Sequence, residues 1–249
     1  MNKSPDLKII DLFSGIGGFS YAAENLVGGF ETVQFVEIDP YCQKILRKHW
    51  PAVPIHGDIK TFKPELHSAD VICGGFPCQD ISYAGNNAGI AEGTRSGLFH
   101  QLMRVVRAVR PRFVVLENVA AIRTRGVDIV LRALAEAGFD VEWACIRASD
   151  VGACHRRDRW WAVAYSQHQG LQGRWPEREL SESGGKVETC WSSGDQLQSN
   201  WRTYLSEPCL RRGDDGLSDR VDRIKALGNA VVPQVAAIPL RRVREFSIT

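Results

Sequence analysis

The amino-acid sequence predicts an α/β fold built on a doubly wound parallel sheet, and three observations support this class. Short apolar runs with the composition of buried parallel strands, such as residues 113–116, alternate with amphipathic stretches of helical period. A glycine-rich turn at residues 14–19 joins the first run to the first helical stretch. The next run ends in an acidic residue, Glu37, about twenty positions after the turn, which is typical of nucleoside-binding folds.

Composition sets limits on the class of protein. A chain of 249 residues, 44% hydrophobic and 24% charged, is long enough for one α/β domain plus a smaller insert. A formal charge of +2 means that nucleic acid would have to be bound by a local basic patch. No apolar run approaches the ~20 residues that cross a bilayer, and residues 1–6 lack the apolar core of a signal peptide. The seven cysteines show no zinc spacing, so we expect a cytoplasmic protein with reduced thiols, no metal and no membrane association.

The first strand is predicted at residues 8–13, followed by the glycine turn, a helix to about Val27 and a second strand at 32–36. In such a turn, the backbone near Gly15 and Gly17 can approach a ligand closely. A tight turn that binds nothing would have the same pattern.

Acidic residues lie at the ends of the second and third predicted strands. Asp39 and the proline after it are typical of the N-cap and first residue of a helix, here predicted at 40–50. We therefore assign Asp39 to capping and Glu37 to a ribose. A short strand at 55–59 carries Asp58, which could accept a hydrogen bond from the amine of adenine. An exposed turn aspartate is the alternative for Asp58.

A candidate nucleophile follows another predicted strand. The apolar run at 69–73 is followed by two glycines and Pro77, and then by Cys78. This order places a thiol at the carboxyl end of a strand, where open α/β sheets bind their ligands. A lone cysteine is more often a small buried hydrophobic residue, but the strand, the glycine pair and the polar loop together favour a nucleophile. The loop at 79–96 is long enough to act as a lid.

The next strand supplies a candidate acid. A helix is predicted from Gly97 until it is stopped by Pro111, and the strand at 113–116 then ends in Glu117. A carboxylate at the carboxyl edge of a buried strand is costly unless it is used or paired, so Glu117 is the best candidate for an acid beside Cys78. The remaining predicted elements are a helix at 127–137, strands at 139–148 and 160–165, and a final helix to about Phe246.

Basic residues are clustered or scattered in two parts of the sequence. Arg157 and Arg159 precede a strand, and they are either a solvated cluster or directed at a phosphate or a carbonyl oxygen. From 166 to about 216 periodicity is lost, and Trp and Arg residues such as Arg174 and Arg202 are scattered along the segment. This composition suits contact with nucleic acid, and a partly ordered insert without that role is the alternative.

Seven short motifs occur in a fixed order over nearly the whole chain outside residues 166–216. They are DLFSGIGG at 11–18, EID at 37–39, GDI at 57–59, GFPCQ at 75–79, ENV at 117–119, RDR at 157–159 and GNAVVP at 228–233. In this order they resemble the motifs of the DNA (cytosine-5) methyltransferases. The resemblance implies a Rossmann-like catalytic domain that uses S-adenosylmethionine, a small irregular target-recognition region, and a last helix that returns to the catalytic domain.

The resemblance also implies roles in the chemistry. Cys78 would attack carbon 6 of cytosine, and Glu117 would hydrogen-bond N3 and the exocyclic amine. Arg157 and Arg159 would contact the ring carbonyl, the loop or neighbouring phosphates. We further expect contacts with DNA from Gln79, Ser82, Arg95, Arg174 and Arg202.

The cofactor roles implied by the resemblance fall on the glycine turn and the neighbouring motifs. Phe13 would lie against the adenine, Glu37 would hold the ribose and Asp58 the adenine amine. The rest of the expected pocket consists of Gly15, Gly17, Ile38, Ile59, Pro77, Leu98 and Asn229.

The resemblance divides the chain into a catalytic and cofactor-binding domain (1–165), a target-recognition region (166–216) and a C-terminal segment (217–249). We expect a monomer that acts on duplex DNA and releases S-adenosylhomocysteine, and a cognate restriction endonuclease is a partner that the resemblance allows. The chain departs from the family at His155, where glutamine is usual, so activity could titrate with this residue. The alternatives are a cytosine-5 methyltransferase of tRNA, a non-catalytic DNA-binding relative and, from the glycine turn alone, a nicotinamide oxidoreductase.

Overall fold

The computed structural model describes residues 6–77, 97–124, 126–166 and 226–248, which include one seven-stranded sheet with helices on both faces. The strands are β1 (Leu7–Leu12), β2 (Phe30–Val36), β3 (Ile55–His56), β4 (Val71–Gly75), β5 (Phe113–Val119), β6 (Phe139–Arg147) and β7 (Asp158–Ser166). The helices are α1 (Gly18–Tyr21), continued by a π-helix (Ala22–Val27), α2 (Pro40–His49), α3 (Gly97–Val109), α4 (Val127–Glu136) and α5 (Pro233–Ile248), with 3-10 turns at Ala120–Thr124 and Ala148–Val151. In the part of the chain so described, no helix is both long and apolar enough to cross a membrane.

The sheet has the strand order β3-β2-β1-β4-β5-β7-β6. Strands β1 to β5 pair in parallel, whereas β7 lies antiparallel between β5 and β6. The order reverses between β1 and β4, and this reversal leaves a crevice at the carboxyl ends of the strands. The predicted doubly wound class is therefore confirmed, and the antiparallel β7 is a feature that the sequence did not predict.

Local sequence explains where the helices begin and end. The Asp39 carboxylate accepts a hydrogen bond from the backbone N–H of Tyr41 at 2.9 Å, and Pro40 is the first residue of α2, which confirms the predicted cap. Helix α3 begins at Gly97 and ends before Pro111, also as predicted. The helix predicted to reach Val27 is instead a short α1 continued by a π-helix.

Two apolar layers enclose the sheet. On one face, α3 and α4 pack against the strands around the fully buried Trp160. On the other face, α1, the π-helix and α5 pack around Trp161. Helix α5 belongs to this second layer through Val235, Leu240 and Val243, so the end of the described chain returns to the sheet.

Candidate active site

The carboxyl ends of the strands open onto one cavity of about 640 Å³, at the reversal of strand order between β1 and β4. A volume of this size is ordinary for a small-molecule site. Its lining includes residues of all seven sequence motifs: Phe13, Gly15, Glu37, Ile38, Asp58, Ile59, Pro77, Glu117, Arg157, Arg159 and Asn229, together with Leu98. The fold thus brings together residues as far apart in the chain as Phe13 and Asn229.

Glu37 is held at the cavity wall by two backbone amides. Its Oε2 accepts a hydrogen bond from Gly15 N at 2.7 Å, and its Oε1 accepts one from Asp39 N at 2.7 Å. Each carboxylate oxygen has a further lone pair for another donor. The glycine turn therefore fixes the orientation of Glu37.

The two glycines assigned to the cofactor pocket differ in their surroundings. Gly15 lines the cavity with a φ of 55°, and a Cβ built there would meet no atom within 4 Å, so its backbone faces open space. Gly17 is not among the residues that line this cavity. A Cβ on Gly17 would lie 2.6 Å from the ring of Trp50 and 3.1 Å from Leu46, at a φ of 86°. Gly17 is thus explained by the close packing of α2 against the turn.

Apolar and acidic side chains share the end of the cavity near β1, β2 and β3. Phe13 has a φ of 54°, a left-handed conformation that is uncommon for a bulky residue and typical of functional sites. Ile38 is 71% exposed although it lines the cavity. Asp58 accepts a hydrogen bond from Lys60 N through Oδ1 at 2.9 Å, which fixes its carboxylate in a turn.

Glu117 lies at the end of β5 next to a guanidinium. Its Oε1 is 3.0 Å from Nε of Arg159, and the Glu117 side chain is 13% exposed. Burial raises the pKa of Glu117 above its ordinary value, and the positive charges of Arg159 and Arg157 offset part of that rise. The carboxyl can therefore take up a proton more readily than an exposed glutamate can.

Asn118 has a role that sequence reasoning missed. This buried side chain donates a hydrogen bond from Nδ2 to the carbonyl oxygen of Phe76 at 3.1 Å, and its Oδ1 accepts one from Val119 N at 2.8 Å. Asn118 thereby connects the end of β5 to the turn that precedes Cys78. Its place within the ENV motif was the available signal, but the partner carbonyl is 42 positions away.

Arg157 contacts two backbone carbonyls that the sequence did not indicate. Its Nη1 donates to the carbonyl oxygen of Gly228 at 2.7 Å, and its Nη2 donates to that of Ala230 at 2.9 Å. Burial and the neighbouring charge of Arg159 lower the pKa of Arg157. Among the described residues, the partners of this guanidinium are thus backbone carbonyls that flank Asn229.

Several predicted site residues lie outside the described ranges. They are Cys78 and the proposed DNA contacts Gln79, Ser82, Arg95, Arg174 and Arg202. In the ranges that are described, no group of three or more His, Cys, Asp or Glu side chains could hold a metal ion.

Comparison with known families decides the relationship of the chain. The family model for C-5 cytosine-specific DNA methylase matches residues 7–207. The chain belongs to this family. The relationship confirms the resemblance found in the sequence motifs.

Individual members of the C-5 cytosine-specific DNA methylase family show how much of the chain is shared. Type II methyltransferase M.MspI of Moraxella sp is 28% identical over 225 residues, which is 88% of this chain and 52% of that protein. Type II methyltransferase M2.BsuMI of Bacillus subtilis is 35% identical over 161 residues, which is 61% of this chain and 40% of that protein. The chain therefore spans about half or less of the length of these relatives.

Solved structures support the fold of this DNA methylase family member. The S. pombe Dnmt2 methyltransferase superposes with a TM-score of 0.56 at 21% identity and covers 73% of this chain and 58% of that one. At this identity the likeness concerns the fold alone. The Rossmann-like methyltransferase architecture expected from the sequence is thereby confirmed.

Proposed function

We propose that this chain transfers a methyl group from S-adenosylmethionine to carbon 5 of a flipped-out cytosine in a short duplex DNA sequence. The observation that supports this most is the position of Glu117, a buried carboxyl with a raised pKa that shares one cavity with Glu37 and Asp58. The cytosine and the methyl donor have to meet at bonding distance. This cavity is lined both by the residue proposed to bind the cytosine and by the residues proposed to bind the methyl donor. Membership of the family and the Type II methyltransferase relatives support the same activity.

The donor set of the cavity fits S-adenosylmethionine. The open space beside the Gly15 backbone leaves room at the glycine turn, and Phe13 and Ile38 offer apolar surface for an adenine. The carboxylates of Glu37 and Asp58 are acceptors for ribose hydroxyls and an exocyclic amine. When bound, S-adenosylmethionine supplies a methyl group on a sulfonium and leaves as S-adenosylhomocysteine.

Cys78 is the proposed nucleophile. It follows Pro77, which lines the cavity at the end of β4. The thiolate adds to carbon 6 of the cytosine, and this covalent bond makes carbon 5 nucleophilic. After carbon 5 has gained the methyl group, loss of its proton restores the ring double bond and expels the Cys78 thiolate.

Glu117 is the proposed acid that donates a proton to the cytosine ring. Addition of the thiolate pushes negative charge toward N3, and a protonated Glu117 can hydrogen-bond and donate there. Burial favours the protonated form because it disfavours the ionised carboxylate, which raises the pKa of Glu117. Arg159 holds the carboxyl in place through the 3.0 Å ion pair, and its guanidinium would lie beside the ring carbonyl.

The DNA contacts and the division of the chain belong to the same proposal. Gln79, Ser82 and Arg95 would contact the DNA from the loop after Cys78, and Arg174 and Arg202 would contact it from a target-recognition region at 166–216. Residues 1–165 and 217–249 would form the catalytic domain, acting as a monomer. A cognate restriction endonuclease is a partner that this proposal allows.

Expression in a bacterial host that lacks cytosine methylation tests this function. Bisulfite sequencing of host DNA and tRNA should show methylated cytosines in one short duplex DNA context for the wild type. The Cys78→Ala variant should show none. Methylation confined to tRNA would favour the RNA methyltransferase instead, and a folded wild type that methylates neither polymer would favour a non-catalytic relative.

A further inference from the structure

Arg157 links the start of β7 to the segment that precedes α5. Its two terminal nitrogens donate to the carbonyl oxygens of Gly228 and Ala230 at 2.7 and 2.9 Å. These carbonyls belong to the residues on either side of Asn229, and Asn229 itself lines the 640 Å³ cavity. A planar guanidinium fork can reach two such oxygens at once, which a single ammonium group cannot do with the same geometry.

The segment held by Arg157 lies between two helical stretches. Residues 226–229 are helical and α5 begins at Pro233, so the carbonyls between them lack the partners that a continuous helix would supply. The same segment is also close-packed against the start of α1, because a Cβ on Gly18 would lie 2.9 Å from the carbonyl oxygen of Val231. Arg157 and the start of α1 therefore both contact the segment.

We propose that Arg157 is a positioning residue that holds Asn229 against the cofactor end of the cavity, and not a group that contacts the base. This inference rests on the proposed use of S-adenosylmethionine. It separates the two arginines of the RDR motif, because Arg159 pairs with Glu117 whereas Arg157 pairs with backbone carbonyls. Loss of Arg157 should then weaken cofactor binding even without DNA.

Calorimetric titration of S-adenosylhomocysteine into the DNA-free protein tests the proposal. Arg157→Gln should bind about tenfold more weakly than the wild type, and Arg157→Lys should lie between the two. Asn229→Ala should show a similar loss, and the double variant Arg157→Gln, Asn229→Ala should bind no more weakly than Asn229→Ala alone, because one residue acts through the other. Arg156→Gln removes the same charge from an exposed neighbour and should bind as the wild type does.

Three results would overturn the inference. Arg157→Gln could bind within twofold of the wild type, or the losses of Arg157→Gln and Asn229→Ala could add in full. A wild type that does not bind S-adenosylhomocysteine would overturn the proposed function as well, which distinguishes the two failures. Thermal unfolding of each variant shows whether it is folded, and Arg157→Lys carries the test if Arg157→Gln is not.

Discussion

Replacement of Asp11 by asparagine should stabilise the protein at pH 8 and have little effect near pH 4. Asp11 lies in β1 with 0% of its surface exposed, and burial raises its pKa from 3.8 to about 8. Ser20 Oγ donates to its Oδ2 at 2.8 Å, whereas Oδ1 has no hydrogen-bond partner among the described residues. The folded protein therefore favours the protonated acid, which an asparagine resembles in charge and shape.

The size of the effect follows from the two pKa values. Above about pH 4 the unfolded chain ionises Asp11, but the folded chain keeps its proton until about pH 8. The stability from this group is thus fully present below pH 3.8 and is lost as the pH rises through about 8. At about 1.4 kcal/mol for each pH unit, the wild type loses about 4 kcal/mol between pH 5 and pH 8. In a chain of 249 residues this corresponds to about 8–16 °C in Tm.

Urea unfolding of the wild type and of Asp11→Asn at pH 5 and pH 8 measures this difference. The free energy of unfolding of the variant should exceed that of the wild type by several kcal/mol more at pH 8 than at pH 5. Asp6→Asn removes an exposed carboxylate and serves as the control. A constant gap between Asp11→Asn and the wild type across this range would refute the argument.

Three further variants test the proposed nucleophile, the proposed acid and the glycine turn. Cys78→Ser should abolish covalent trapping of duplex DNA that carries 5-fluorocytosine, yet it should still bind S-adenosylhomocysteine; a trapped complex on a denaturing gel would exclude Cys78. Glu117→Gln should slow methyl transfer by about 100-fold or more at near-normal DNA affinity. The wild-type rate should fall as pH rises through the raised pKa of Glu117, because the protonated form that donates is lost. A Glu117→Gln variant that fails to fold would show that Glu117 is structural. Gly17→Ala should lower the free energy of unfolding by about 1–3 kcal/mol, because its Cβ would lie 2.6 Å from the Trp50 ring. Gly57→Ala, whose Cβ would lie 3.8 Å from its nearest neighbour, is the control, and equal losses for both in urea unfolding would contradict this explanation.

The strands and helices were largely predictable because their signals are local. Residues 113–116 form a continuous apolar run, and the structure extends it to β5 at Phe113–Val119. The start of α2 is marked locally, because Asp39 caps the helix and Pro40 is its first residue. The position of β7 between β5 and β6 was not predictable in this way, because pairing of Val115 with Val163 depends on contacts far apart in the chain.

The sequence motifs named many of the residues that line the cavity, but they could not show the contacts among those residues. The motif order placed Glu37 and Glu117 in one site, and both line the cavity. The sequence could not show that Gly15 and Asp39 amides fix Glu37, since that depends on the bend of the backbone. Nor could it show that Arg157 binds carbonyls 71 and 73 positions away, because a guanidinium can donate to many different acceptors.

Opposing electrostatic effects meet at Glu117, and their balance bears on the proposed chemistry. The 3.0 Å ion pair with Arg159 stabilises the ionised carboxylate, whereas the raised pKa means that burial disfavours it more than the guanidinium favours it. An acid that donates to a base in each turnover and then recovers its proton needs both forms near neutral pH. The positive charge of Arg159 limits the rise in the pKa of Glu117, and in the proposed mechanism this helps the carboxyl to release its proton as well as to recover it.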